Sequence, residues 1–326
     1  MAKHGDGSRD RVEWFLRVRP PEVTLRWAAG ALGSRRRVVA ARRLLGGSAV
    51  ATHLLTVEGP RGRRERVVLR RFVRADWVAR EPEVPAQEAL ALRIAARADV
   101  ATPELIASDV TGEVTDVPAL LISRLPGRGN LRPRDLDGWL RQQAEVLPAI
   151  HAVTGDDLGG VPRYQPWVDL DAVEVPRWTR EAEAWRAVIG LARGPRPRVR
   201  GPHTRQCFIH RDYHPMNLLW SRGRLTGVVD WTNARVGPPG IDVAWARQNL
   251  VTSHGVEAAE RFREFAEAAL GREQDPVWDA LGVVEVLARP DIGSLSQWHD
   301  LGLTSLTKGI VRRRLDGYAV SIARRA

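Results

Sequence analysis

The segment Phe208-Ile209-His210-Arg211-Asp212-Tyr213-His214-Pro215-Met216-Asn217 is the densest concentration of chemically capable side chains in the chain. Two apolar residues deliver the backbone to a polar loop, and Leu218-Leu219-Trp220 leads it away. Ten residues farther on, Val228-Val229-Asp230-Trp231 places a carboxylate at the end of another apolar run. Short strands are expected at Leu218–Trp220 and Gly227–Val229, framing the polar loop.

Phosphoryl transfer asks little of a protein beyond a group that orients the attacking hydroxyl and oxygens that hold the metals neutralising the phosphates. Asp212 fits the first role. Asn217 and Asp230, hard oxygen donors suited to magnesium, fit the second. The alternative for Asp212 is a turn or capping aspartate. Tyr213 and His214 read as residues that shape the loop. A zinc site at His210 and His214 would need both on one helix face, and the intervening Asp-Tyr with the following Pro215 argues against that helix.

Around this block the chain reads as a mixed fold. Apolar positions at helical spacing within residues 8–33, broken by Pro20-Pro21, predict two short helices. Strands are expected over Arg37–Leu45, Val50–Glu58 and Arg66–Val73, the first two separated by Gly46-Gly47-Ser48. A helix over Pro85–Ala98 and a strand over Ala119–Leu125 follow, ending at Pro126-Gly127. The short first connections favour antiparallel hairpins. From Leu136 onward helices dominate: Leu136–Val153, Arg177–Ala192, Val256–Leu270, Trp278–Val286 and Leu303–Ala323. Gly194–Thr204, rich in Pro, Gly and Arg, reads as loop. A helical extension over 1–34, a first lobe over 35–126 and a second over 127–326 are expected.

Charge tempts one toward nucleic acid, since the formal net charge is +11. The arginines that supply it are spread along the whole chain, and the only lysines are Lys3 and Lys308. Clusters such as Arg35–Arg37, Arg61–Arg66 and Arg312–Arg314 are not interleaved with aromatics as a single-strand platform would be. They read as solvated faces, so no nucleic-acid partner is expected. A single cysteine, Cys207, excludes an internal disulfide and reads as a small buried hydrophobe. No apolar run reaches the roughly 20 residues that span a membrane, and the segment MAKHGDGSRD has no apolar signal core. A cytoplasmic protein is expected.

The succession HRDYHPMN, VVDW and Gly237-Pro238-Pro239-Gly240-Ile241-Asp242-Val243-Ala244 resembles the aminoglycoside phosphotransferase family and related choline-type kinases. The resemblance implies an α+β, bilobal, protein-kinase-like fold, with a small antiparallel sheet in the first lobe and a mainly helical second lobe. It implies an ATP- and Mg2+-dependent enzyme that phosphorylates a hydroxyl of a small molecule. Asp212 would be the catalytic base, Asn217 and Asp230 would hold metal, and His210 and Asp242 would brace the loop. His151 matches a histidine the family often carries near the end of its first large helix and reads as structural packing with a satisfied ring.

The nucleotide side follows the same resemblance. Gly46, Gly47 and Ser48 stand where kinases fold a small-residue loop over phosphates, although Gly-Gly-Ser is equally a plain hairpin turn. Arg70 stands where kinases place a phosphate-holding lysine, a real departure, because guanidinium is planar and bulkier than ammonium. Glu88 would pair with it, the alternative being an exposed helix carboxylate. Ser123 and Leu125, where the lobes join, would offer backbone groups to adenine.

The acceptors such a family serves include aminoglycosides, macrolides, amino alcohols and sugars. Seven acidic residues against four arginines between Gly155 and Gly190, together with Trp167, Trp178 and Trp185, tilt the expectation toward a cationic antibiotic. The alternative is solvated acids and core tryptophans. A protein kinase is disfavoured by the eleven residues between Asp230 and Asp242, which leave little room for a peptide-presenting segment. A non-catalytic pseudokinase is disfavoured because Asp212, Asn217 and Asp230 are all present.

Overall fold

The computed structural model describes residues 18–44, 50–155, 158–195, 206–287 and 295–326. Gly46, Gly47 and Ser48 lie outside the described residues, as do the first of the two helices expected in 8–33 and most of the Gly194–Thr204 loop.

Along β2 (Ala51–Glu58) buried and half-buried side chains alternate at every position, the two-residue period of a strand with one face on a core. It pairs antiparallel with β1 (Arg37–Arg43) and β3 (Arg64–Arg71). With β4 (Leu105–Asp109) and β5 (Ala119–Ser123) these form a five-stranded antiparallel sheet in the order β1-β2-β3-β5-β4. Helix α1 (Glu22–Ala31) lays Leu25 and Ala28 against Leu55, Val57, Val67, Leu69, Ala119 and Leu121. Burying a large aliphatic side chain in this way stabilises by about 1.5–3 kcal/mol. The sequence assigns this helix to an extension over 1–34; packing makes it part of the first compact unit, which runs to Ala96 and resumes over Thr102–Leu125.

Two further helices complete that unit, α2 (Ala75–Arg80) and α3 (Val84–Ala95), the latter with Pro85 in its first turn, where a missing N–H costs nothing. Strand β4 is not expected from the sequence. It is a short edge strand, mostly half-buried, and lacks a clear apolar alternation. The loop after it is organised by Asp109, whose carboxylate accepts from the backbone N–H groups of Gly112, Val114 and Thr115 at 3.1, 2.9 and 2.8 Å.

The second unit comprises Arg97–Ala101 and residues 126–326. Asp135 caps α4 (Leu136–His151) by accepting from Gly138 N at 2.9 Å. Helix α5 spans Ala182–Arg193, shorter than the expected Arg177–Ala192. Buried Asp316 takes Thr179 Oγ1 at 2.5 Å and Arg180 N at 3.1 Å, tying the leading residues into a turn instead. Two small antiparallel ladders follow, β6 (Cys207–Ile209) with β9 (Arg235–Gly237), and β7 (Leu218–Ser221) with β8 (Arg224–Val228).

Among the described residues, helices α6 (Gly240–His254), α7 (Val256–Leu270), α8 (Pro276–Leu287), α9 (Leu295–Asp300) and α10 (Lys308–Arg325) follow. Helix α6 was not expected as a helix. Every residue from Gly240 to Ser253 is buried, so no solvent-facing stripe marks the helical period. Gly240 lets it lie against α8, since a Cβ there would stand 2.3 Å from the Trp278 ring. Helix α10 begins five residues later than expected because Thr307 Oγ1 caps it, accepting from Ile310 N at 3.2 Å.

Candidate active site

Strand β6 ends at Ile209, and the next two peptide N–H groups turn onto one carboxylate. His210 N and Arg211 N donate to Asp242 of α6 at 2.9 and 2.7 Å. Asp242 is fully buried and also lies 3.0 Å from His151 Nε2 on α4. His151, expected to pack with a satisfied ring, belongs to the brace through Nε2, while its Nδ1 has no hydrogen-bond partner among the described residues. His210 Nε2 reaches Val229 O at 3.0 Å, while His210 Nδ1 accepts from Asp212 N at 3.3 Å. The ring thus ties the loop to the segment carrying Asp230.

Arg211 adopts a left-handed backbone with φ of 68°, and Asp230 does the same with φ of 66°. Such a conformation costs a non-glycine residue about 1–2 kcal/mol and persists only where surroundings over-determine it. At Arg211 the Asp242 bond holds the peptide, and the guanidinium donates to both oxygens of Glu285 on α8 at 2.8 Å. At Asp230 the next residue, Trp231, is fully buried, stacks on Phe208 with centroids 5.4 Å apart, and donates to Val228 O at 3.3 Å.

Asp212 projects from the loop so formed. Its Oδ1 accepts from Trp245 Nε1 at 2.6 Å and lies 3.4 Å from His214 Nε2, while Asn233 Nδ2 approaches Oδ2 at 3.5 Å. Burial works to raise this carboxyl, but the His214 and His210 imidazoles and the Trp245 N–H outweigh it and hold the carboxyl well below the usual carboxylate range. The carboxylate therefore stays ionised throughout the neutral range and accepts hydrogen bonds only.

Asn217 closes the loop by donating from Nδ2 to Asp212 O at 2.9 Å, and its own carbonyl accepts from Val229 N at 2.9 Å. The β7–β8 pairing then sets Leu218 opposite Val228, so Asn217 and Asp230 leave the ladder at the same end. Thr232 Oγ1 donates to Asp230 Oδ1 at 2.8 Å. An amide oxygen and a carboxylate placed together suit magnesium, which commonly takes one or two protein oxygens and completes its shell with water and phosphate. Among the described residues no three His, Cys, Asp or Glu side chains gather as a metal-holding group. Cys207 is buried, which pushes its thiol up to about 12 and leaves it inert.

In the first unit, Arg70 and Glu88 meet as the sequence expects: Arg70 Nε lies 2.7 Å from Glu88 Oε1 and Nη2 lies 3.2 Å from Oε2, both side chains buried. The exposed-carboxylate alternative for Glu88 is set aside. Arg71 faces the other way, onto Asp116, which Thr24 of α1 also contacts at 2.6 Å. Ser123 N donates to Glu104 O and Ser123 Oγ accepts from Glu104 N, each at 2.9 Å, so of its backbone groups the carbonyl is the one not engaged there. Leu125 lies half-buried in irregular backbone after β5.

The tryptophans of the acidic stretch separate. Trp185 is fully buried and Trp178 packs edge-on to it at 6.0 Å, so both are structural. Of the three, Trp167 alone joins the His210–Asn217 loop, 5.0 Å from Trp245 and 3.7 Å from the Arg211 guanidinium. Asp169, Asp171, Glu174, Glu181 and Glu183 are exposed, while Asp156 and Asp157 lie outside the described residues. Sequence reasoning passed over Trp245, Asn233, Arg211 and Glu285. Trp245 carried a usable signal, standing three residues after Asp242 and thus on the same face of a helix.

A family model described as the phosphotransferase enzyme family matches residues 40–281. The chain belongs to that family. No curated protein sequence matches it. Among solved structures it is similar to a protein from Ralstonia eutropha JMP134, itself only provisionally described as an aminoglycoside phosphotransferase. That match has 16% identity and a TM-score of 0.58, covering 93% of this chain and 99% of that one. It is similar to an APH(2")-IIIa solved with GDP and kanamycin, at 15% identity and TM-score 0.56, covering 93% and 98%. It is also similar to an APH(4)-Ia mutant solved with ADP and hygromycin B, at 18% identity and TM-score 0.52, covering 89% and 95%. At such identities the likeness carries the fold, which is the α+β kinase-like one expected. Membership of the phosphotransferase family makes the chain a kinase-type phosphotransferase acting on a hydroxyl group.

Proposed function

We propose that this phosphotransferase moves the γ-phosphoryl group of ATP to a hydroxyl of a small natural product, an antibiotic, in the cytoplasm. The observation that carries the reading is the set of bonds on Asp212: Trp245 at 2.6 Å, with His214 and Asn233 farther out, hold an ionised carboxylate in one orientation. A carboxylate so held aligns an acceptor hydroxyl and takes its proton as the oxygen attacks γ-phosphorus. The bond from γ-phosphorus to the bridging oxygen breaks, and ADP leaves with that electron pair.

Asn217 Oδ1 and the Asp230 carboxylate would hold magnesium. When bound, magnesium supplies positive charge to the phosphate oxygens. Arg70, fixed by Glu88, would hold the phosphates from the first unit in place of the usual lysine. Ser123 O and the Leu125 backbone would meet the base. Phosphorylating an antibiotic hydroxyl would confer resistance.

The test is ADP release by purified protein with ATP and a panel of hydroxylated antibiotics and metabolites, with and without magnesium. Acceptor-stimulated, magnesium-dependent release is expected, and it should be lost in Asp212→Ala. Release that ignores both magnesium and Asp212 would overturn the reading.

A further inference from the structure

Among the described aromatic residues Trp167 alone is exposed, at 42%. It is held with care for a surface side chain. Its backbone N–H approaches Glu285 Oε1 at 3.3 Å, its ring meets Trp245 edge-on at 5.0 Å, and the Arg211 guanidinium lies 3.7 Å from its centroid. Behind it, Arg211 Nη2 bonds both oxygens of Glu285 in an ion pair with both side chains buried, and Tyr164 adds its ring 4.7 Å from the guanidinium and its hydroxyl 3.4 Å from Glu285 Oε1. Burying an ion pair is costly, so its placement under one exposed indole needs a reason. A preorganised aromatic surface loses little freedom when a ligand stacks on it, and Trp245 links this surface directly to the Asp212 carboxylate.

The charges decide what can stack there. A second cation would meet an indole already polarised by the Arg211 guanidinium, and a cation needs an uncommitted carboxylate nearby. Among the described residues, the two carboxylates that contact this cluster are both engaged, Glu285 by Arg211 and Asp212 by Trp245 and His214. We propose that Trp167 is the acceptor platform, on which an uncharged ring, a sugar or an aromatic, stacks so that its hydroxyl reaches Asp212. This rests on the phosphotransfer reading above and replaces the cationic acceptor that the acidic composition of residues 155–190 suggests.

The experiment measures ADP release from magnesium-ATP with two groups of probes: p-nitrophenyl glycosides and a macrolide carrying a ring hydroxyl against kanamycin and hygromycin B. Saturable turnover of the first group is expected, its KM unaffected by a hundred-millimolar change in salt. Trp167→Ala should raise that KM by roughly tenfold or more, the scale of one lost stacking contact, with kcat within about threefold. Trp167→Phe, which keeps a ring, should restore most of the affinity and controls for misfolding. Turnover confined to kanamycin and hygromycin B, or an unchanged KM in Trp167→Ala, overturns the platform while leaving the phosphotransfer reading intact. A wild-type protein that consumes ATP yet serves neither group overturns the platform too. One that consumes no nucleotide at all overturns the reading beneath it.

Discussion

The Asp212 carboxylate is held by three neighbours that the sequence places two, 21 and 33 residues away: His214, Asn233 and Trp245. Asp212→Ala should fold and lose turnover by roughly 10²-fold or more, the usual scale for a positioned acid–base group; wild-type turnover in that variant would refute the assignment. Trp245→Phe keeps the ring and removes only the N–H. Because that N–H helps hold the carboxyl low, its loss should raise the carboxyl toward its ordinary value. The acid limb of kcat/KM would then move to higher pH, and kcat would fall by about tenfold, as expected for a hydrogen bond to a charged group. A merely structural tryptophan would change stability and leave the pH profile where it was.

Strands and helices decide which side each residue faces. On β3, adjacent residues point to opposite sides, so Arg70 pairs with Glu88 on α3 while Arg71 pairs with Asp116. Arg70→Ala should therefore raise the ATP concentration needed for half-maximal rate, whereas Arg71→Ala should lower the thermal midpoint with little effect on that concentration. Equal effects on nucleotide would mean that the two faces are not separated in function. On β2, His53 is buried next to Arg71 and Arg43; burial first, and then those charges, push it down to about 4 from an ordinary 6.5. Unfolded chains bind its proton through that window and folded ones do not. Stability from this group is thus complete above pH 6.5 and is lost as pH falls toward 4. His53→Gln should flatten the fall in thermal midpoint between pH 6.5 and 4, and an unchanged slope would exclude His53 as its source.

At the scale of the whole molecule, the phosphotransfer reading requires the folded state to bind nucleotide. ATP with magnesium at a hundredfold excess over its dissociation constant stabilises by about 2.7 kcal/mol, so the thermal midpoint should rise with magnesium-ATP and less with ATP alone. No shift at millimolar nucleotide would count against ATP as the donor. Among the described residues no helix is long and apolar enough to cross a membrane. The chain divides between Leu125 and Pro126, with a short excursion at Arg97–Ala101.

What the amino-acid order determined by itself is what depends on neighbours along the chain. The loop from His210 to Asn217, the strands on either side of it, the Val256–Leu270 helix and the hairpins of the first sheet all carry local periods or turn residues that can be read directly. The mixed α+β character and the antiparallel first sheet were legible on those grounds, and the kinase-like fold followed from the resemblance carried by HRDYHPMN and VVDW. Helix α6 was not legible, because burial on every side erases the stripe that reveals a helix. With it went Trp245; α8 was legible as a helix, but Glu285 on it was not legible as a partner, because the bonds of Trp245 to Asp212 and of Glu285 to Arg211 join residues 33 and 74 apart. Composition likewise suggested an acidic, tryptophan-lined surface over residues 155–190. Tertiary packing instead sent Trp185 inward, set Trp178 against it and left Trp167 beside Trp245 and Arg211. Contacts across such separations are fixed by how elements pack, and no local pattern in the chain encodes them.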